Sequence, residues 1–345
     1  MKTRLLITNK LVILVLSTVL SSGVFAHDYE LEISDSSPSS EVTDNLLFNT
    51  QIQNTASKIN GHISGSLSGS LASTQNYIDQ SSGLNAGDLF SVPYGIWGNY
   101  SYSDYENDLS TTTFDGSSHG FLGGIDFLYS ESTIFGIAFG YSNSDIDTTF
   151  NGGNQDTDSF TIAPYFGTVL NDYLSFDFNI GYTNAQHDQF RTAAVTRITS
   201  SPDADQWFGS INLNAIKYVD NWILSGRVGA LHAKSVIDSY TESNNTVVAQ
   251  SRTKVSTMTI AGDAAYSYGN YEPFVNLAYN YDFSLRRITT AAAPAPANDK
   301  NDFLLTAGVR YFEKSGLSGN LEYSKRLARD DFDEDTISLT LRMDY

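Results

Sequence analysis

Few side chains in this sequence could do chemistry, and they are scattered. Its five histidines, His27, His62, His119, His187 and His232, stand at spacings that match no metal-ligand pattern, and there is no cysteine. His187, beside Asp188 and near an outer rim, is the one His-Asp pair worth weighing as the beginning of a hydrolytic base. No nucleophile motif accompanies the pair, so a solvated histidine is the preferred reading. The run Asp330-Asp331-Phe332-Asp333-Glu334-Asp335 has oxygen enough for Ca²⁺ but lacks the turn glycine and the fixed spacing of a calcium loop. Arg310, Glu322 and Arg342 could form an ion network with one carboxylate between two guanidiniums, if their elements put them on one face. No catalytic residue, cofactor or metal site is expected.

The elements that position these residues are strands. Ile337 to Tyr345 alternates strictly: Ile337, Leu339, Leu341, Met343 and Tyr345 point one way, and Ser338, Thr340, Arg342 and Asp344 the other. The same period runs through twelve segments, 94–106, 117–130, 133–147, 156–169, 173–188, 204–219, 222–241, 252–269, 271–289, 301–313, 317–329 and 334–345. Short polar turns such as Glu131-Ser132, Asn171-Asp172, Asp220-Asn221 and Ser315-Gly316 alternate with the longer connections 107–116, 148–155, 189–203, 242–251, 290–300 and 330–333. Strands of twelve or more residues, each with an oily aromatic-rich face, would leave a soluble sandwich with a large sticky surface. The fold class is therefore all-β: a twelve-stranded antiparallel transmembrane β-barrel, its carboxy terminus in the periplasm and its long loops outside. Pro164, in mid-strand, forfeits a ladder bond and is expected to mark a bulge.

Composition agrees. The 345 residues carry a formal charge of −19, 21 Tyr, 20 Phe and 26 Gly, with a mean hydropathy of −0.23. That acidity excludes nucleic acid as a partner, and the hydropathy excludes a bundle of spanning helices. Residues 1–26 read as a signal peptide: Lys2, Arg4 and Lys10 precede an apolar core, and Val24-Phe25-Ala26 offers the cleavage site. Its removal takes the formal charge from −19 to −22, because all three basic residues go and no acid precedes Asp28.

Residues 27–43 are polar and too poor in apolar surface to fold alone. In 44–82 the period changes. Ile52, Ala56, Ile59, Ile63, Leu67 and Leu71 make a narrow helical stripe over 44–74, after a cap at Thr43 or Asp44. Gly61, Gly65 and Gly69 form a second stripe, which would let the helix sit snugly in a channel. An amphipathic helix in the barrel lumen is the expected arrangement.

Several segments together carry a resemblance. Gly83-Leu84-Asn85-Ala86-Gly87-Asp88, Tyr94-Gly95-Ile96-Trp97-Gly98-Asn99-Tyr100, Gly120-Phe121-Leu122-Gly123-Gly124-Ile125-Asp126-Phe127 and Phe135-Gly136-Ile137-Ala138-Phe139-Gly140-Tyr141 resemble the start of an autotransporter β-domain, a type V secretion module. The likeness spans 83–345, and the preceding helix matches the family's pore helix in position. It implies a monomeric translocator of the Gram-negative outer membrane that passes an attached passenger to the surface. It further implies that Ile337, Leu339, Leu341, Met343 and Tyr345 form the strand read by the barrel-assembly machinery. The sequence departs from the family in offering only 27–43 ahead of the helix, a vestigial passenger or a tail.

The expected function is thus membrane anchor and translocator for that short segment, with outer-membrane lipid and lipopolysaccharide as neighbours. The alternative is a surface adhesin or receptor binding a host or surface ligand through loops 107–116, 189–203 and 290–300. A barrel-rim hydrolase using His187 ranks below both.

Overall fold

The computed structural model describes residues 38–74, 93–109, 112–130, 132–193, 195–286, 300–313 and 316–345. The signal peptide, the start of the polar segment, the Gly83–Asp88 motif and most of the 290–300 loop lie outside the described residues. Among the described residues, one α-helix, α1 (Pro38–Thr74), precedes fifteen strands. They are β1 (Tyr94–Asn107), β2 (Phe114–Ser130), β3 (Thr133–Thr148), β4 (Gly153–Asn171), β5 (Leu174–Ala193), β6 (Thr196–Ser200), β7 (Asp203–Val219), β8 (Trp222–Ile237), β9 (Tyr240–Thr241), β10 (Val247–Val248), β11 (Ser251–Tyr266), β12 (Tyr271–Arg286), β13 (Asn301–Phe312), β14 (Leu317–Leu327) and β15 (Phe332–Asp344).

Twelve of these strands close into an antiparallel barrel in the order β1-β2-β3-β4-β5-β7-β8-β11-β12-β13-β14-β15, and β15 returns to β1. Period-two alternation dictates this result, because each strand has a face that must leave water and an edge that must find a partner. The seam runs from Gly95 opposite Asp344 to Asn107 opposite Phe332. It is finished by Tyr345 N–H donating to Tyr94 O at 2.9 Å and by the stacked Tyr94 and Tyr345 rings, 5.1 Å apart.

The outward face carries an apolar middle, with Ile96, Phe139, Ile162, Ile180, Leu213, Ile260, Leu277, Leu321 and Leu339 all exposed. Tyr173, Trp222, Tyr266, Tyr271 and Tyr345 girdle it near the short turns, and Tyr100, Tyr141, Phe160, Trp207 and Tyr323 near the long connections. Two such belts around an oily band match the two interfaces of a bilayer.

The structure differs from the sequence expectations at three places. Pro164 makes no bulge: β4 keeps its register with β5 on either side of it, Ile162 opposite Tyr182 and Tyr165 opposite Asn179, and only the local pairs are lost. The 189–203 connection is largely strand, because β5 continues to Ala193 and turns back as β6, which pairs with Gln189–Ala193 outside the ring. The β5–β6 arm is tied to the next connection by Arg191 gripping Glu242 through two bonds of 2.9 and 2.7 Å. Finally, α1 begins at Pro38 rather than at the Thr43 or Asp44 cap, with proline in a first turn that needs no N–H from it.

Candidate functional site: the occupied lumen

Strands about 4.8 Å apart and tilted about 40° put the backbone of a twelve-stranded barrel on a radius of roughly 12 Å. Side chains of the inner face narrow that bore to about the 10–12 Å of one α-helix. Helix α1 fills it. Its stripe Ile52, Ala56, Ile59, Ile63 and Leu67 is buried, at 0–3% exposure, in one cluster with Ile134, Ala138, Ala163, Phe208, Leu231 and Val255 of the wall. The fit is close at Gly167 of β4, where an added methyl would run into Ile63. At the other end of the bore, Leu47 packs with Tyr105, Phe114, Ile146 and Phe332, all beside long connections.

The polar face of the helix is held by a built set of partners. Arg342 of β15 forks onto Asp126 of β2 at 2.8 and 3.0 Å, and His62 of α1 reaches the same carboxylate at 2.6 Å. Asp126 also accepts from Tyr165 at 3.2 Å, and Tyr165 accepts from the Trp97 indole at 2.8 Å. The His62 ring stacks on Trp97 with centroids 4.2 Å apart. Asp126 is fully buried, so each of its bonds acts in a medium where an unmatched charge is expensive.

A second group lies nearer the outer mouth. Asn54 donates to Glu334 at 2.6 Å, Arg326 joins Glu334 and Asp302 at 2.7 and 2.8 Å, and Asn49 donates to Asp282 at 3.0 Å. Between the two groups, Lys58 donates to Ser101 at 2.5 Å and Asn60 accepts from Asn179 at 2.6 Å. Beside the helix remains a cavity of about 50 Å³ with a mixed lining, in which Asn60, Asn212, Asn280, Arg227 and Arg326 stand among alanines and leucines, of the size that holds water.

Arg310, Glu322 and Arg342 all face this lumen but do not form the expected network. Arg310 pairs with Asp263 at 2.9 Å, Arg342 takes Asp126 and Asp344, and Glu322 accepts from Asn320 and Ser338 at 2.8 and 2.9 Å. The reason is stagger. On β14, Arg310 stands level with Asn320 and Arg342 with Ser318, so Glu322 is two and four residues farther along, about 7 and 13 Å away.

The other sequence candidates scatter likewise. His187 lies near the long-connection end, where its backbone N–H donates to Pro202 O at 3.0 Å, but its side chain points inward and bonds Thr157 at 2.9 Å. Glu334 turns in to Arg326 while Asp335 turns out to Lys325, so the acidic run is divided between two faces. No cluster able to hold a metal occurs among the described residues. Ile337, Leu339, Leu341 and Tyr345 are exposed on the outer wall beside the seam. What escaped sequence reasoning was the Asp126–His62–Trp97–Tyr165 group. Its signal was Trp97, an indole on the inward register of a strand whose lumen is otherwise polar.

The glycine stripe does not mark the tight side of the helix. An added Cβ at Gly61 or Gly65 would meet nothing within 4 Å. Gly61→Ala and Gly65→Ala are therefore accommodated, and each stabilises α1 by about 1 kcal/mol. A rise in the denaturation midpoint of the folded barrel checks this; a fall would mean the helix fits differently.

Over residues 96–324 the sequence matches the Autotransporter beta-domain family. It matches no curated protein. Among solved structures, the translocator domain of autotransporter NalP from Neisseria meningitidis superposes with a TM-score of 0.65 at 11% identity, covering 84% of this chain and 98% of that one. The beta domain of the Bordetella autotransporter BrkA gives 0.60 at 13% identity, covering 72% and 98%. The transport unit of AIDA-I from Escherichia coli gives 0.57 at 13%, covering 82% and 97%. At such identities the likeness is one of fold.

Proposed function

Because the chain belongs to the autotransporter β-domain family, and so is an outer-membrane barrel of the transport-unit type, we propose that it anchors and translocates its own amino-terminal segment. The observation that carries this reading is the polarity of α1. Leu47 sits among residues beside the long connections, whereas Ile63 and Leu67 sit against Gly167, near the short Asn171–Asp172 turn. The helix thus leads from the long-loop mouth down to the short-turn rim where β1 begins. Whatever precedes Pro38 is delivered to the long-loop side, and β15, with its lipid-facing Ile337, Leu339, Leu341, Met343 and Tyr345, is the strand offered to the assembly machinery. The connections 107–116, 189–203 and 290–300 then stand outside the cell.

A short epitope inserted after Ser34 tests this. It should be stained by antibody, and removed by protease, on intact cells. Protection until the outer membrane is permeabilised would overturn the proposal.

A further inference from the structure

The outer wall is electrically two-sided at the height of the long connections. Outward carboxylates crowd the arc from β15 through β1 to β7: Asp335, Asp104, Asp145, Asp158 and Asp205 are examples, several held by tyrosine or asparagine donors. On β8 and β11 the sign reverses. Lys234 stands directly opposite Lys254, and Lys254 in turn is opposite Arg286 of β12 in the backbone register. Arg252 lies one outward step farther along β11 and is exposed. Among the described residues no carboxylate forms an ion pair with Lys234, Arg252 or Lys254. Two ammonium groups facing each other across a ladder are destabilising unless an anion lies between them.

Height identifies the anion. From Tyr266 in the lower girdle, the outward residues of β11 run Ala264, Gly262, Ile260 and Met258 before reaching Lys254. Those twelve residues rise about 30 Å along a strand tilted about 40°, one hydrocarbon thickness. Lys234 pairs in register with Trp207, an exposed indole of the upper girdle. The cations therefore stand at the headgroup level of the outer leaflet, above an oily wall that suits acyl chains. His232 and Ser256, bonded to each other at 2.8 Å, lie one step below and add hydroxyl and imidazole.

We propose that Lys234, Arg252 and Lys254 bind the phosphate groups of the phosphorylated glycolipid of the outer leaflet, holding one lipid molecule against β8, β11 and β12. The inference rests on the barrel standing in the outer membrane with its long connections outward. Lysine and arginine are suited to phosphate as donors of concentrated positive charge, and their stems cover the apolar wall below. In a chain of formal charge −19, this is the sector where an anionic headgroup is attracted rather than repelled.

The test is titration of the purified mature chain in micelles with bis-phosphorylated lipid A, read by native mass spectrometry. Lys254→Gln should weaken binding about fivefold, as expected for one cation beside an anionic surface. The combined Lys234→Gln, Arg252→Gln and Lys254→Gln chain should lose at least about tenfold, with heat-modifiable migration confirming that each variant folds. Asp145→Asn, on the acidic arc, should leave binding unchanged. Equal binding by the triple variant, or by dephosphorylated lipid A, overturns the proposal. Displacement by inorganic phosphate as effective as by lipid would place a free anion there and overturn the lipid assignment. Loss of the lipid site would leave the anchor reading intact, because that is read separately from exposure of the amino terminus.

Discussion

A barrel lacking residues 38–74 conducts on the order of tenfold more current in a planar bilayer than the chain that retains them, the ratio of a bore about 12 Å wide to a seam one water wide. The helix occupies the lumen through a dry isoleucine stripe, and one cavity beside it measures about 50 Å³. Without it the inner wall is acidic. Among the described residues, Asp126, Asp177, Asp263, Glu272, Asp282, Asp302, Glu322 and Glu334 outnumber Arg227, Arg310, Arg326, Arg329 and Arg342. The opened pore should therefore favour cations, as a ring of carboxylates does. Equal conductance with and without the helix would show that α1 leaves the bore in the membrane. Heat-modifiable migration of the shortened chain shows whether the barrel itself still closes.

Asp126→Ala costs about 3 kcal/mol, the largest effect expected of a single substitution. It strips a fully buried carboxylate from a forked guanidinium and from His62, and it leaves Arg342 with Asp344 at the solvent edge. The loss should appear as a lower urea midpoint and as faster proteolysis of α1. Asp126→Asn keeps the shape and one acceptor and should cost less. Arg342→Gln combined with Asp126→Asn should give a positive coupling of about 1–3 kcal/mol in a double-mutant cycle. Additive effects would mean that the two side chains stabilise the barrel independently.

The strands were legible because period two is written residue by residue. Phe135-Gly136-Ile137-Ala138-Phe139 says which side is oily without reference to any partner. The turns were legible for a similar reason: Asp220 and Gly316, both at positive φ, sit where short polar pairs interrupt the alternation. The charge network was not, because pairing across strands depends on stagger, and no property of Arg310 or Glu322 alone records that they stand two residues out of level. Likewise, the glycine stripe of α1 suggested a snug face on general grounds, yet the glycine that has no room for a methyl against the helix is Gly167, on the strand side of the contact. Pro38 was a readable start signal that the stronger cap candidates at Thr43 and Asp44 obscured.

The seam between β1 and β15 has a consequence for the order of assembly. The group that grips the helix straddles it: Trp97 belongs to β1, Asp126 to β2 and Arg342 to β15, the last strand to be made. Until β15 arrives, Asp126 lacks its guanidinium and β1 lacks its outer edge, so neither the wall nor its contents is complete. Closure of the seam therefore also completes the site that holds the helix, so both depend on a contact between the first and last strands of the sheet.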